Sequence, residues 1–192
     1  MFTGIIRHSG TVRALKKNRR SCVLTLESAA VASKVKTGGS VSVNGVCLTA
    51  VNRSAKRISF QLVAETLKRS ALGSLRIGER VNLELPLKLS DRLDGHFVLG
   101  HVDGKGEVKS IAVKGKGRDF LITYPNSLAK YLPPKGSITV DGVSLTLGKV
   151  TPKAFRVHII PHTLKSTNFR HYHPKTKVNL EADILAKLAH KR

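Results

Sequence analysis

Tryptophan is absent from this 192-residue sequence, and aromatic residues make up only 5% of it. Surfaces that bind single-stranded nucleic acid stack bases on aromatic side chains, so this scarcity argues against that class of protein. Only two cysteines are present, Cys22 and Cys47, and neither belongs to a CxxC pair. This excludes a disulfide framework, argues against a zinc site, and fits a reducing compartment.

Long apolar runs are also missing. No window contains the roughly 18 consecutive apolar residues that a transmembrane helix needs. The N-terminal segment MFTGIIRHSGTV has too short an apolar run for a signal peptide. We therefore expect a soluble cytoplasmic protein that does not act at a membrane.

Acidic residues are few: 12 Asp and Glu stand against 34 Lys and Arg, a formal net charge of +22. Such an excess is typical of proteins that bind nucleic acid or an anionic surface. The basic clusters, at 13–20, 114–118 and 165–177, match no nucleic-acid-binding motif. We interpret the charge as a solvated basic surface and do not expect nucleic acid as a partner.

The chain repeats itself. GSVSVNGVCLT (39–49) matches GSITVDGVSLT (136–146), ETLK (65–68) matches HTLK (162–165), and VNLE occurs at 81–84 and 178–181. All three pairs share an offset of 97 residues, and 39–87 is identical to 136–184 at 15 of 49 positions. TGIIRHSGTV (3–12) corresponds to LGHVDGKGEV (99–108). Two copies indicate a duplicated two-domain protein rather than a solenoid.

Each copy has the pattern of an all-β unit. Short β-branched runs alternate with turns such as NGV (44–46) and DGV (141–143). About six strands per roughly 90 residues predict a small closed or Greek-key barrel. One short helix per copy is expected at 28–36 and 126–132, and a last helix from Ala182 to His190. The predicted domains are barrels at 1–95 and 96–185, with a helical tail at 182–192.

The motifs MFTGII, NGVCLT, ETL, VNLE, GHFVLGHVDG, KGSITVDGVSLT and IIPHTL, in this order and duplicated, resemble the riboflavin synthase α-chain family over the whole chain. The resemblance implies two six-stranded Greek-key barrels, a short C-terminal helix and a homotrimer in which barrels of neighbouring subunits face each other. It implies dismutation of two 6,7-dimethyl-8-ribityllumazine molecules to riboflavin and 5-amino-6-(ribitylamino)uracil. No cofactor or metal is implied, and lumazine synthase is a possible partner.

The two copies differ where chemistry is expected: Cys47 aligns with Ser144, Asn44 with Asp141, and Glu65 with His162. One substrate bound twice needs a donor and an acceptor pocket, so such differences suit a dismutation. The resemblance places catalytic function on one set of residues: Ser40, Cys47, His101, Asp141 and Ser144. Whether Cys47, a serine or water attacks the acceptor is left open, and His96 is interpreted as structural.

A larger set is expected to contact the substrate through backbone edges, hydroxyls and short apolar side chains. These residues are Gly4, Ile5, Ile6, Cys47, Leu48, Thr49, Gln61, Leu62, Val63, Ala64, Glu65, Thr66, Gly100, His101, Val102, Lys135, Ser144, Leu145, Thr146, Ile159, Ile160, Pro161, His162, Thr163 and Leu164.

Two alternatives remain at this point. A non-catalytic lumazine- or flavin-binding protein of the same fold would need few of the catalytic residues. A metal site at His162, His171 and His173 is weaker, because the segment offers no nearby carboxylate ligand. The C-terminal helix is also short for the family, which weakens the expectation of a trimer.

Overall fold

The computed structural model describes residues 1–18 and 21–190. The end of the basic cluster 13–20 and the end of the predicted tail 182–192 lie outside the described residues. No helix within these two ranges is long and apolar enough to cross a membrane.

The first half of the chain forms a closed six-stranded barrel, as predicted. Hydrogen bonds join its strands in the order β1-β2-β5-β4-β3-β6. The strands are β1 (His8–Lys17), β2 (Ser21–Glu27), β3 (Ser40–Val43), β4 (Val46–Arg53), β5 (Arg57–Val63) and β6 (Arg80–Glu84). Alternate residues of each strand point inward, so Leu24, Phe60 and Leu62 are fully buried while their neighbours face outward.

Helices in this half are short. They are α1 (Ala29–Ala32), α2 (Ala64–Arg69) and a 3₁₀ helix at Ala71–Ser74. The helix predicted at 28–36 ends early, because the chain turns through the Thr37-Gly38-Gly39 segment, where Gly38 has φ +86°. Sequence analysis did not predict α2, which is only six residues long.

The second half repeats this plan with one difference. Its sheet has seven strands in the order β10-β9-β13-β7-β8-β12-β11. The strands are β7 (Gly104–Lys114), β8 (Gly117–Thr123), β9 (Ser137–Val140), β10 (Val143–Thr146), β11 (Val150–Thr151), β12 (Ala154–Ile159) and β13 (Lys177–Ala182).

The six-strand plan therefore holds for this half as well, with the counterpart of β4 split into β10 and β11. The first barrel has a register shift between Ala50 and Asn52, and at the equivalent place the second barrel leaves the ladder at Gly148. Backbone bonds still reach both neighbouring strands there: Leu147 N donates to Gly136 O (2.8 Å) and Gly148 N to Arg156 O (2.8 Å). The strand ladder is irregular at this point, but backbone hydrogen bonds still join the neighbouring strands.

The remaining helices agree broadly with expectation. The segment predicted at 126–132 is a 3₁₀ helix, Asn126–Tyr131. The C-terminal helix α4 (Ile184–Ala189) begins two residues later than predicted, because Ala182 still belongs to β13 and Asp183 is its N-cap, accepting from Leu185 N at 3.0 Å. Two unpredicted elements, α3 (Pro161–Ser166) and a 3₁₀ helix at Asn168–His171, mirror α2 and its successor.

The two barrels meet across an approximate two-fold arrangement of turns and asparagines. Asn82 Nδ2 donates to Asp141 O (3.0 Å), and Asn179 Nδ2 donates to Asn44 O (2.7 Å). Both Asn44 and Asp141 adopt φ +45°, in turns that also contain Gly45 and Gly142. These two bonds are equivalent under the repeat, so the duplication supplied both halves of the interface from one motif.

The same asparagines also fix the segments after the short helices. Asn179 Oδ1 accepts from Ala71 N (2.6 Å), and Asn82 Oδ1 accepts from Asn168 N (2.9 Å). Each asparagine is buried and satisfied on both its amide nitrogen and its oxygen, which makes the contact directional and not merely apolar.

Gly45 touches the other barrel so closely that a side chain has no room. A Cβ there would lie 2.6 Å from Gly142 N, and φ is +75°. We predict that Gly45→Ala lowers the free energy of unfolding by more than about 3 kcal/mol, because strain and a backbone clash add. Gly38→Ala is the matched control, since Gly38 also has positive φ but nothing within 4 Å. It should cost about 1 kcal/mol in urea unfolding; equal losses would contradict a tight interface.

Asp141 carries a buried carboxyl group into this interface. Its Oδ1 accepts from Asn179 N (2.8 Å), and the Tyr172 hydroxyl donates to its Oδ2. Burial raises the pKa of Asp141 to about 7, and it also raises the pKa of Tyr172. At the equivalent position, Asn44 makes the same bond to Asn82 N (2.7 Å) without a titratable group.

This difference predicts a pH-dependent stability. The folded protein retains the Asp141 proton that the unfolded chain loses near pH 4, so stability falls as pH rises from about 4 to about 7. The slope reaches at most about 1.4 kcal/mol per pH unit. Asp141→Asn should flatten this fall in urea unfolding across that range. Glu84 and Glu181, which also have raised pKa values, leave a residual slope. An unchanged slope would show that Asp141 is ionised in the fold.

Candidate active site

Two loops that precede the first strand of each barrel organise the candidate site. Residues 3–4 are held by Glu84, whose carboxylate accepts from Thr3 N (2.7 Å) and Gly4 N (3.0 Å). Residues 99–100 are held in the same way by Glu181, which accepts from Leu99 N (2.8 Å) and Gly100 N (3.0 Å). Burial raises the pKa of both glutamates, and the backbone donors oppose that shift.

Each loop is anchored to its own barrel and presented to the other. Gly4 O accepts from Ser144 N (2.8 Å), and Gly100 O accepts from Cys47 N (2.9 Å). Ile6 is part of the second barrel's core, and Val102 packs against the first. Each loop therefore lies against a strand of the other barrel. The loop around Gly4 meets β10 of the second barrel, and the loop around Gly100 meets β4 of the first.

The approach is close enough to require glycine at both positions. Gly4 has φ +78° and Gly100 has φ +77°, and a Cβ on either would lie 2.6 Å from the Cβ of Ser144 or Cys47. The sequence expectation of a close backbone contact at these glycines is consistent with this geometry.

On the first barrel, the outward side chains of β4 and β5 form one face. Cys47 is half-buried, Thr49 is exposed, and Ser40 lies opposite Thr49 in the ladder. Gln61 and Val63 are exposed on β5, and Ala64, Glu65 and Thr66 start α2 beyond it. His101 is exposed directly after Gly100. The structure thus groups these predicted residues on a single outer surface.

The second barrel presents the corresponding face. Ser144 and Thr146 project from β10, and Ile160, Pro161, His162 and Thr163 follow β12 into α3. Ile5 occupies the place that His101 has on the first face. Pro161 stands at the first helical turn, where its missing N–H costs nothing. Val63 and Ile160 are 55% and 52% exposed, so both faces are open and apolar in part.

Some predicted contact residues point the other way. Leu48, Leu62 and Ile159 are buried in the barrel cores, so their side chains fill the interior and only their backbone borders the outer face. Leu145 and Leu164 pack against the second core from its edge. A range of consecutive strand residues cannot all face one ligand, because side chains alternate.

Asp141 lies in the inter-barrel interface, where its two oxygens are occupied by Asn179 N and the Tyr172 hydroxyl. It is three residues before Ser144 and fixes the turn that leads into β10. Glu65 is ion-paired with Arg69 one helical turn away, which lowers the pKa of Glu65. His162 O accepts from Ser166 Oγ (3.0 Å).

Lys135 occupies an unusual backbone conformation. Its φ is +65°, and it aligns with Gly38 of the first copy, which has φ +86°. Its N–H donates to Leu147 O (3.0 Å), so the conformation is fixed by the strand that continues β10. Lys135 thus adopts a left-handed conformation in which glycine would be relaxed.

His96, which sequence analysis interprets as structural, lies against a predicted catalytic residue. Its Nδ1 lies 2.7 Å from Ser144 Oγ, while Nε2 is buried without a partner among the described residues. His96 N donates to Thr3 O (3.2 Å), and Gly95 lies against the same carbonyl, where a Cβ would be 2.0 Å away. His96 is the first histidine of GHFVLGH and has no counterpart in the first copy.

The described residues contain no group of three or more His, Cys, Asp or Glu placed to hold a metal ion.

Burial lowers the pKa of His96, so its imidazole is neutral at neutral pH. An NMR pH titration of the imidazole should give a midpoint below 6.5. Because burial is the main cause, Ser144→Ala should leave the midpoint below 6.5 while changing the ring's tautomer shifts. A midpoint above 6.5 would mean that the ring is solvated and the Ser144 contact is not formed.

Comparison with known proteins agrees with this geometry. The lumazine binding domain family matches residues 3–86 and 99–183. The chain is 40% identical over 187 residues to riboflavin synthase of Actinobacillus pleuropneumoniae, covering 97% of this chain and 87% of that one. It is 42% identical over 191 residues to riboflavin synthase of Mycobacterium bovis, covering 97% and 95%.

Among solved structures, LumP complexed with riboflavin superposes with a TM-score of 0.89 at 22% identity, covering 95% of this chain and 99% of that one. LumP complexed with 6,7-dimethyl-8-(1'-D-ribityl) lumazine gives 0.86 at 21% identity with the same coverage. These likenesses support the fold, and the closer sequence relatives confirm the family resemblance of the motifs. With two lumazine-binding domains and about 40% identity across nearly its whole length, the chain belongs to the riboflavin synthase family.

Proposed function

We propose that the protein is a riboflavin synthase, which converts two molecules of 6,7-dimethyl-8-ribityllumazine into riboflavin and 5-amino-6-(ribitylamino)uracil. One observation carries the proposal: two equivalent outer faces share a backbone frame but present different reactive groups. The first combines Cys47 with the loop bearing His101, and the second combines Ser144 with His96. One ligand bound in two chemically different surroundings is what a dismutation requires.

The chemistry transfers four carbons from one lumazine to the other, and its atoms balance without an oxidant or cofactor. A proton leaves the C7 methyl group of one molecule, and a nucleophile adds at C7 of the other. Neutral His96 can accept the Ser144 hydroxyl proton, which activates that oxygen. Cys47 and His101 are the candidates on the other face, and Ser40 and Thr49 supply hydroxyls beside them.

Asp141 enters the mechanism as a positioning residue. Its carboxyl oxygens bind within the interface, and the turn it stabilises sets the start of β10 and thereby the Ser144 hydroxyl. Much of the rate would come from holding the two flat rings together, which needs rigid strands on both sides.

A non-catalytic binding protein is the second candidate, since the LumP structures share the fold. Sequence identity favours the enzyme, at 39–42% to riboflavin synthases against 21–22% to LumP. The residues named as catalytic also support the enzyme: Ser40, Cys47, His101 and Ser144 offer reactive or hydrogen-bonding groups, and Asp141 positions Ser144.

We also propose that the protein acts as a homotrimer in the cytoplasm, with lumazine synthase as a possible partner. Open apolar residues such as Val63 and Ile160 need a cover to exclude water from a flat ring. Leu185 and Leu188 on α4 are likewise more than half exposed. Both cysteines are free thiols, which suits a reducing compartment.

Multi-angle light scattering tests the proposed trimer. It should give three times the mass of the 20.9 kDa chain; the mass of a monomer would contradict the trimer.

The direct experiment incubates the purified protein with 6,7-dimethyl-8-ribityllumazine and follows riboflavin absorbance. Ser144→Ala should lower kcat by roughly 100-fold or more, because it removes the group that His96 activates. Ser59→Ala removes a different outward hydroxyl, bonded to Thr25, and should leave kcat unchanged. Lumazine binding without riboflavin formation over hours would contradict the enzymatic function and favour a non-catalytic binding protein.

The strained Lys135 gives a separate prediction. Lys135→Gly should raise the free energy of unfolding by up to about 1 kcal/mol by relieving positive φ. It should weaken lumazine binding roughly tenfold by removing a charged donor. Lys175→Gly is the control, since Lys175 has φ +76° and aligns with Gly78 outside the site. It should stabilise similarly and leave the Kd unchanged. Equal effects of both variants on Kd would exclude a specific role for Lys135.

A further inference from the structure

A second concave region lies apart from the two lumazine faces, and we propose that it binds the phosphate groups of a small phosphorylated ligand. This basic groove lies between the 3₁₀ helix Ala71–Ser74 of the first half and strands β7 and β13 of the second. It encloses about 760 Å³, enough for a nucleotide-sized molecule.

Three lysines from three different strands line the groove. Lys17 lies at the end of β1, Lys105 near the start of β7, and Lys177 at the start of β13. The groove's single acidic lining residue, Glu107, is already ion-paired with Lys177. Lys17 Nζ reaches a carbonyl, Gly73 O, only at 3.4 Å, and Lys105 has no ion pair within residues 1–18 and 21–190. The groove therefore has positive charge that no described side chain neutralises.

Its walls are held firmly. Ala71 N is bound by Asn179 Oδ1 at 2.6 Å, which fixes the floor to the inter-barrel network. Gly106 presents bare backbone, because a Cβ there would lie 2.5 Å from Thr123 O. A second hollow of about 370 Å³ adjoins the groove at Lys105, and its charged lining is mixed: Lys68 and Arg69 lie there with Glu65 and Asp103. A preformed wall lowers the ordering cost of binding an anion.

The duplication provides an internal comparison. On the equivalent side, Arg170 and His171 stand where the groove has Gly73 and Ser74, and they bond to each other at 2.8 Å. Ser9 stands in place of Lys105, and Arg80 in place of Lys177 binds Ser9. The groove therefore combines small residues on one wall with lysines on the other, and the equivalent place on the opposite side of the molecule does not.

The chemistry favours a compact phosphate. Lumazine and riboflavin carry no phosphate, so neither explains the lysines that line the groove. None of the described residues lining the groove is aromatic, whereas single-stranded nucleic acid is held by stacking platforms as well as charge. A phosphate monoester or diphosphate needs only converging cations and concave space.

Isothermal titration with pyrophosphate and ADP, at low and at physiological salt, tests this directly. The wild type should bind one equivalent of either probe. Lys105→Gln should weaken binding at least about tenfold by removing the central charge. Gly73→Arg copies the residue at the equivalent position, fills the groove, and should abolish binding. Its Cβ would lie 3.3 Å from Leu67 O, a tight contact, so urea unfolding of this variant checks that the fold is kept.

The matched control is Lys56→Gln, an exposed lysine after β4 at the opposite end of the barrel from Lys17. It removes the same charge and should change affinity less than about twofold. Equal weakening by Lys56→Gln and Lys105→Gln would overturn the site and leave only a diffuse field. So would undetectable binding, or tight binding of a single-stranded oligonucleotide that pyrophosphate does not displace. Riboflavin formation is measured separately and does not depend on any of these outcomes.

Discussion

The contact between the turns at Gly45 and Gly142 is the constraint on which the rest of the structure depends. Backbone meets backbone there without room for a Cβ, and Asn82 and Asn179 bind the opposing carbonyls on either side. Because these bonds involve main chain and buried amides, the geometry is insensitive to most side-chain changes elsewhere. The strands that follow the two turns, β4 and β10, are thereby fixed relative to both barrels.

Both candidate active-site faces follow from that constraint. Once β4 and β10 are placed, Cys47 N and Ser144 N meet the carbonyls of Gly100 and Gly4, and the glutamates at the ends of β6 and β13 hold those loops. The exchange of loops makes each face depend on both copies. Neither barrel alone would present Cys47 beside Gly100 or Ser144 beside Gly4, so both faces need the intact pair.

Much of this was predictable from the sequence, for identifiable reasons. The repeat offset gave the two barrels, and the Asn-Gly and Asp-Gly pairs gave the turns, since both signals are local. The split of the second barrel at Gly148 was not predictable, because Gly and Lys there tolerate either a bulge or a break. The interface position of Asp141 also escaped prediction. Its partners Asn179 and Tyr172 are 38 and 31 residues away, and an Asp-Gly turn looks the same in solvent and in an interface. The contact of His96 with Ser144 was not predictable, because it spans 48 residues and has no counterpart in the first copy.

The two copies differ mainly at positions outside the frame, by which we mean the buried residues whose hydrogen bonds join the barrels and hold the loops. Positions that bind the frame, such as Asn82 and Asn179 or Glu84 and Glu181, are identical, because changing one would leave a buried donor unpaired. Outward positions on other elements carry no such cost, so Cys47 and Ser144, or Gly73 and Arg170, could become different. Asp141 is the exception, a frame position that changed from amide to acid. It was tolerated because a protonated carboxyl can replace the amide and because Tyr172, also from the second copy, supplies the extra donor. A duplicated frame of this kind permits one ligand to be treated in two ways without the two barrels drifting apart.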